Sequence, residues 1–184
     1  AAVGAAIQLF NLTKAAADYG SEIFDATEKT GLSAEAISSI KVAADQAGTS
    51  LETVTGGVAK FSKLIGEAGD GSAAAQGKLA KLGVTSNDLD TALGQALTTI
   101  ARYPPGVQQM TAAQIAFGKS GADLLPFIKS FDGDLPGLIA KCKELGLTID
   151  NETARAADNF ADTLDTLSAQ AAATGRVFVG PLMN

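Results

Sequence analysis

The side chains that could carry chemistry are few, and two absences narrow them further. The chain has no histidine and a single cysteine, Cys142. A Cys/His zinc site, a Ser-His-Asp triad and a Cys-His pair therefore lack a full set of partners. Cys142 falls at an apolar position of a helical stretch, residues 135–145, and reads as a small buried hydrophobe that can form no internal disulfide. Gly118-Lys119-Ser120 looks like the end of a phosphate-binding loop. That loop needs a glycine five residues before its Gly-Lys pair, following a strand. Here the position is Ala113, inside a helical pattern, so the triplet reads as a helix stop and a restart.

Three carboxylate groups remain: Asp132/Asp134, Asp88/Asp90 and Asp158/Asp162/Asp165. The first two sit where turns and helix caps favour Asp in any case. The third lies on the polar side of a long helix, where solvation is the expected role. A calcium loop needs denser ligand spacing than any of these. The sequence therefore predicts no catalytic residue, no cofactor site and no metal site.

The elements that carry these residues all have helical spacing. Residues 1–30 form one long helix in which Ala5, Leu9, Leu12, Ala16, Tyr19, Ile23 and Ala26 alternate by fours and threes, a narrow apolar seam for a partner helix. Gly31 closes it. Ser33 caps a second helix that ends at Gly48, and Ser50 starts a third carrying Gly56-Gly57, a pair that permits either a close neighbour or a bend. Residues 66–72 read as an exposed loop, followed by a short helix ending at Gly83. Ser86 or Asn87 caps the next helix, which Tyr103-Pro104-Pro105-Gly106 must break. Another helix ends at Gly118, Ser120 restarts the chain with Asp123 as in a capping box, and Asp134 caps a helix with Pro136 in its first turn. From Asp150 or Asn151 a last helix carries a second seam, Ala157, Phe160, Leu164, Leu167, Ala171 and Phe178, before Gly175 and Gly180-Pro181 loosen its end.

No strand pattern appears, so the fold class is all-α. The expected organisation is an N-terminal helical arm (1–30), a head of short helices (31–149) and a C-terminal helical arm (150–184). Leu9, Leu12, Tyr19, Ile23, Phe160, Leu164 and Leu167 form the candidate partner-packing seam. The arms can pair with each other or with neighbouring copies; the pattern allows both.

Composition sets the class of partner. Of 184 residues 46% are hydrophobic, but only 5% are aromatic and none is Trp, so the core must be built from Ala, Leu, Ile and Val. A net charge of −6 argues against a broad basic surface for nucleic acid, and no sequence-specific nucleic acid is expected. Lys60, Lys63, Lys78 and Lys81 read as a solvated helix face. No apolar run is long enough to span a bilayer. The apolar start, without a basic leader or a Met, reads as a cut from a longer polypeptide rather than a signal peptide.

Several stretches taken together resemble the tape measure proteins (minor tail proteins) of bacteriophage tails. They are Glu28-Lys-Thr-Gly-Leu-Ser-Ala-Glu-Ala-Ile37, Ala43-Ala-Asp-Gln-Ala-Gly48, Ala116-Phe-Gly-Lys-Ser-Gly-Ala-Asp-Leu-Leu-Pro126, Ala140-Lys-Cys-Lys-Glu-Leu-Gly146 and Phe160-Ala-Asp-Thr-Leu-Asp-Thr-Leu167. The resemblance implies a structural virion protein that sets tail length in the tail-tube lumen and leaves ahead of the DNA. Its implied places are the tail tube or tail tip, and the host cytoplasm during assembly. The implied partners are copies of itself, tail-tube and tail-tip proteins, and the host envelope during infection. Two other readings stand beside it: a bacterial helical adaptor or signalling coiled-coil module, and a helical accessory domain of a lytic enzyme. A head of roughly 120 residues has a diameter of about 35 Å and crowds a narrow tube if copies lie abreast. The segment is therefore expected to be terminal or docking, or extended within the tail.

Overall fold

The computed structural model describes the backbone of residues 2–179 and the side chains of residues 11–170. Among these residues every regular element is helical: α1 (Ala2–Thr30), α2 (Ala34–Ala47), α3 (Leu51–Gly69), α4 (Ala73–Lys81), α5 (Leu89–Arg102), α6 (Val107–Phe117), a 3-10 helix (Gly118–Leu124), α7 (Leu125–Ser130), α8 (Leu135–Glu144) and α9 (Asn151–Val179). The chain divides into two compact units. One comprises Ala1–Phe24 with Asn151–Asn184, and the other is Asp25–Asp150. The division falls inside α1, which continues unbroken to Thr30.

In the Asp25–Asp150 unit the local starts and stops follow backbone hydrogen-bond demand. Ser33 and Ser50 each accept an N–H of the first turn, from Ala36 and Thr53 at 3.2 Å. Gly48 closes α2 at a φ of 67°, a left-handed conformation that costs glycine nothing. Three boundaries differ from the sequence expectation. Asp88, not Ser86 or Asn87, caps α5 and accepts the Thr91 N–H at 2.9 Å; Ser86 instead holds the Asp88 N–H at 3.1 Å. Helix α3 runs on through Gly66 to Gly69, so the loop shrinks to Asp70–Ser72. Ser120 caps nothing. Its hydroxyl accepts Lys60 Nζ at 3.3 Å, and the chain turns through the 3-10 helix instead of restarting directly.

That corner explains the Gly-Lys-Ser-Gly stretch. Gly118 ends α6 at a φ of 68°, and the 3-10 helix folds back along α6. A Cβ on Gly121 would lie 2.3 Å from the Ala113 carbonyl oxygen, so only glycine lets the two backbones approach this closely. The core fills from both sides of α3. Phe61 meets Phe117 with ring centroids 6.2 Å apart, and Leu82, Leu97, Ile100, Leu124 and Phe127 are buried with them. α2 packs on α3, α7 and α8, and α5 packs on α6 and α8. Cys142 is buried at 3% exposure, a core hydrophobe as its position predicts.

Candidate functional site

The unit made by the start of α1 and by α9 is an antiparallel helix pair. Lys14 Nζ donates to Asp165 at 3.2 Å, Ser21 Oγ donates to Asp158 at 2.7 Å, and the Arg155 guanidinium lies 5.8 Å from the Phe24 ring centroid. As the residue number rises along α1, that of its partner falls along α9, which is the signature of opposed directions. The closest approach is at Gly20, where an added Cβ would stand 2.2 Å from the Ala157 Cβ. Ala17, Ala154 and Ala161 are buried along the same line. Separation between packed helices is set by the side chains at the contact, so this run of small residues brings the axes close.

The contact between α1 and α9 runs beside the expected seam, not along it. The residues that meet α9 are Lys14, Gly20, Ser21 and Phe24, one stripe round the helix from Leu12, Ala16 and Tyr19. Leu12 is 70% exposed, and on α9 Phe160 is 43% and Leu167 55% exposed. Tyr19 and Leu164 are half-buried, and Ile23 is fully buried within the chain and so offers nothing to a foreign partner. The side chains of Leu9, Ala171 and Phe178, and all of Gly180-Pro181, lie outside the described residues. The physical reason for the shift is size. The pair closes on its smallest side chains, and the large ones cannot enter a contact that tight. The readable signal was the recurrence of small residues four apart, Ala17/Ser21 and Ala157/Ala161.

The Asp158/Asp162/Asp165 group is corrected with it. Asp158 and Asp165 join the two helices, whereas Asp162 remains exposed. Lys14 also donates to Asp18 at 2.9 Å, and its bonds to Asp18 and Asp165 hold its pKa above the ordinary 10.5.

In the other unit each carboxylate pair has a structural occupation. The Asp88 pKa lies below its ordinary 3.8 because the Thr91 hydroxyl and N–H both donate to it. Asp90 accepts both the N–H and the hydroxyl of Ser33, fixing the start of α2 to α5. Asp134 caps α8 through the Gly137 N–H at 3.0 Å, and Asp132 occupies a turn at a φ of 53°. Among the described residues no group of three or more His, Cys, Asp or Glu is placed to hold a metal ion. Lys60, Lys63, Lys78 and Lys81 are all exposed.

An apolar cleft of about 640 Å³ runs along α5 beneath α8, bordered by Gly94, Thr98, Arg102, Leu135, Pro136 and Ile139. Gly94 brings the Pro136 ring to 3.4 Å from where a Cβ would stand. Its polar rim is largely engaged: Thr98 donates to the Gly133 carbonyl at 3.1 Å, and Gln95 exchanges two bonds with Thr85. The cleft offers apolar surface but no nucleophile-and-base pair.

No protein-family model matches this chain. Neither curated proteins nor solved structures yield a match. No helix among the described residues is long and apolar enough to cross a membrane.

Proposed function

We propose that this chain is a structural segment of a bacteriophage tail tape measure protein, acting through helix packing and without catalysis. The observation that supports a packing role is the outward placement of Leu12, Phe160 and Leu167 on the helix pair. Large apolar side chains grouped on a surface mark a contact with other protein. The assignment to a tail rests on the resemblance carried by the stretches between Glu28 and Leu167. In this reading the short-helix unit is a head and the two long helices are arms that grip copies of the chain or tail-tube and tail-tip proteins. The chain leaves the virion ahead of DNA and meets the host envelope there. The 29 residues of α9 give an arm about 43 Å long at 1.5 Å per residue, so the arms, and not the head, have the proportions of a ruler.

Purified tailed particles provide the test. Antibodies against residues 31–149 are expected to label intact tails after mild opening, and the polypeptide is expected to vanish from particles triggered to eject their DNA. Its absence from purified particles, or its retention after ejection, overturns the reading.

A further inference from the structure

We propose that the cleft between α5 and α8 binds the free anion of a medium-chain fatty acid, with the tail along its apolar wall and the carboxylate on Arg102 and Thr99. The inference goes beyond the packing role and does not depend on the tail assignment. One side of α5 lines the cleft: Thr91, Gly94, Gln95, Thr98, Thr99 and Arg102 follow three-four spacing. Leu135, Pro136, Ile139 and Ala140 of α8 supply the apolar wall. The volume of about 640 Å³ lies within the range of small-molecule sites, which are mostly apolar with a few placed polar groups.

Those polar groups can be picked out by elimination. Asp90 is held by Ser33, Thr91 donates to Asp88, and Gln95 exchanges two bonds with Thr85. Thr98 donates to the Gly133 carbonyl, and Asp134 accepts the Gly137 N–H. Thr99 and Arg102 alone on this side of α5 have neither a hydrogen bond nor an ion pair among the described residues, apart from Gly94, which has no side chain to offer. They stand three residues apart, hence on neighbouring turns of one helix face. An unpaired guanidinium beside a free hydroxyl, at one end of an apolar cleft, is complementary to a single anionic head on an apolar tail. The guanidinium fork matches the two oxygens of a carboxylate. A phosphate dianion would need a second cation, and none borders the cleft: its other charges are Asp90 and Asp134. Asp90 lies twelve residues back along α5, about 18 Å from the Arg102 level, so it does not oppose a carboxylate there. From Gly94 to Arg102 the axis runs about 12 Å, the reach of about ten extended bonds, which sets the tail length.

Titration of the isotope-labelled whole chain with decanoate, kept below its micellar concentration, and in parallel with decanol tests this by amide NMR. Decanoate should bind saturably below about 1 mM and shift Gly94, Thr99 and Ile139. Decanol should bind about five- to tenfold more weakly, since it has the tail without the charge. Arg102→Gln should lower decanoate to the level of decanol and leave decanol unchanged. Lys119→Gln, a cation outside the cleft, should change neither, and Ala140→Trp, which fills the wall from an exposed position, should abolish both. If Arg102→Gln loses helicity, the decanoate-to-decanol ratio on the native chain carries the test alone. No saturation by about 1 mM, equal binding of decanoate and decanol, or shifts confined to other parts of the chain overturns the site. So do shifts of α5 and α8 that grow with protein concentration before any decanoate is added, since a second copy then covers the cleft. The particle experiment reads the tail assignment separately.

Discussion

Gly56 and Gly57 are neighbours in α3, and the same added methyl should change stability in opposite directions at the two positions. In a helix interior Gly→Ala gains about 1 kcal/mol, since alanine loses less backbone freedom on folding. A Cβ on Gly56 meets nothing within 4 Å, so Gly56→Ala should realise that gain in full. A Cβ on Gly57 lies 2.7 Å from Leu124 Cδ1 and 3.3 Å from Phe117 Cβ. Both neighbours are 1% exposed, so neither has room to retreat. Overpacking of a filled core costs about 1–3 kcal/mol, which outweighs or cancels the propensity gain. Gly57→Ala should be between neutral and about 2 kcal/mol less stable, a difference of about 1–3 kcal/mol between the two variants.

Urea unfolding followed by circular dichroism measures this as a shift in midpoint at constant slope. In heat the separation should be about 2–4 °C per kcal/mol for a chain of this size. The steric origin has its own check. In a Leu124→Ala background the methyl at residue 57 has space, so Gly57→Ala should become stabilising there. Equal gains at both glycines in the native background would refute the reasoning. So would a loss at Gly57 that persists after Leu124 is truncated.

Other substitutions probe the remaining contacts. Gly20→Ala should push α1 and α9 apart, because two methyls fixed on helical backbones cannot rotate out of a 2.2 Å overlap; faster amide hydrogen exchange in the first half of α9 is the readout. Gly133→Ala should cost about 3 kcal/mol or more, since it adds a left-handed φ of 69° to contacts of 2.5 Å with the Leu97 carbonyl oxygen and 2.8 Å with the Ala101 Cβ. Asp88 titrates below its ordinary 3.8, so its capping contribution is present at neutral pH and is lost as pH falls through the depressed folded value; the Thr91 amide shift in NMR should follow that titration and should lose it in Asp88→Asn. Lys14 titrates above 10.5, so its link to Asp165 holds at neutral pH and fades only as pH rises through the raised folded value; Asp165→Asn should lower the Lys14 midpoint seen at its Cε.

The elements were legible in the sequence wherever a residue answers a purely local demand. Ser33, Ser50 and Asp134 cap helices because an N–H three residues on has no other acceptor, and Gly31, Gly48 and Gly83 close them at positive φ. Asp88 and Ser120 show the limit. Three polar residues in a row can each cap α5, and the choice was made by Thr91, which donates two bonds to Asp88. Ser120 was taken by Lys60, sixty residues away, and no local pattern encodes that contact. The seams were legible as stripes but not as contacts. A periodic row of leucines states that a helix side prefers to leave water, without saying what covers it. Here the covering helix belongs to the same chain and comes closest over Ala17, Gly20, Ala157 and Ala161, because nothing larger fits between the backbones. Leu12 and Leu167, too large for that contact, were left facing outward.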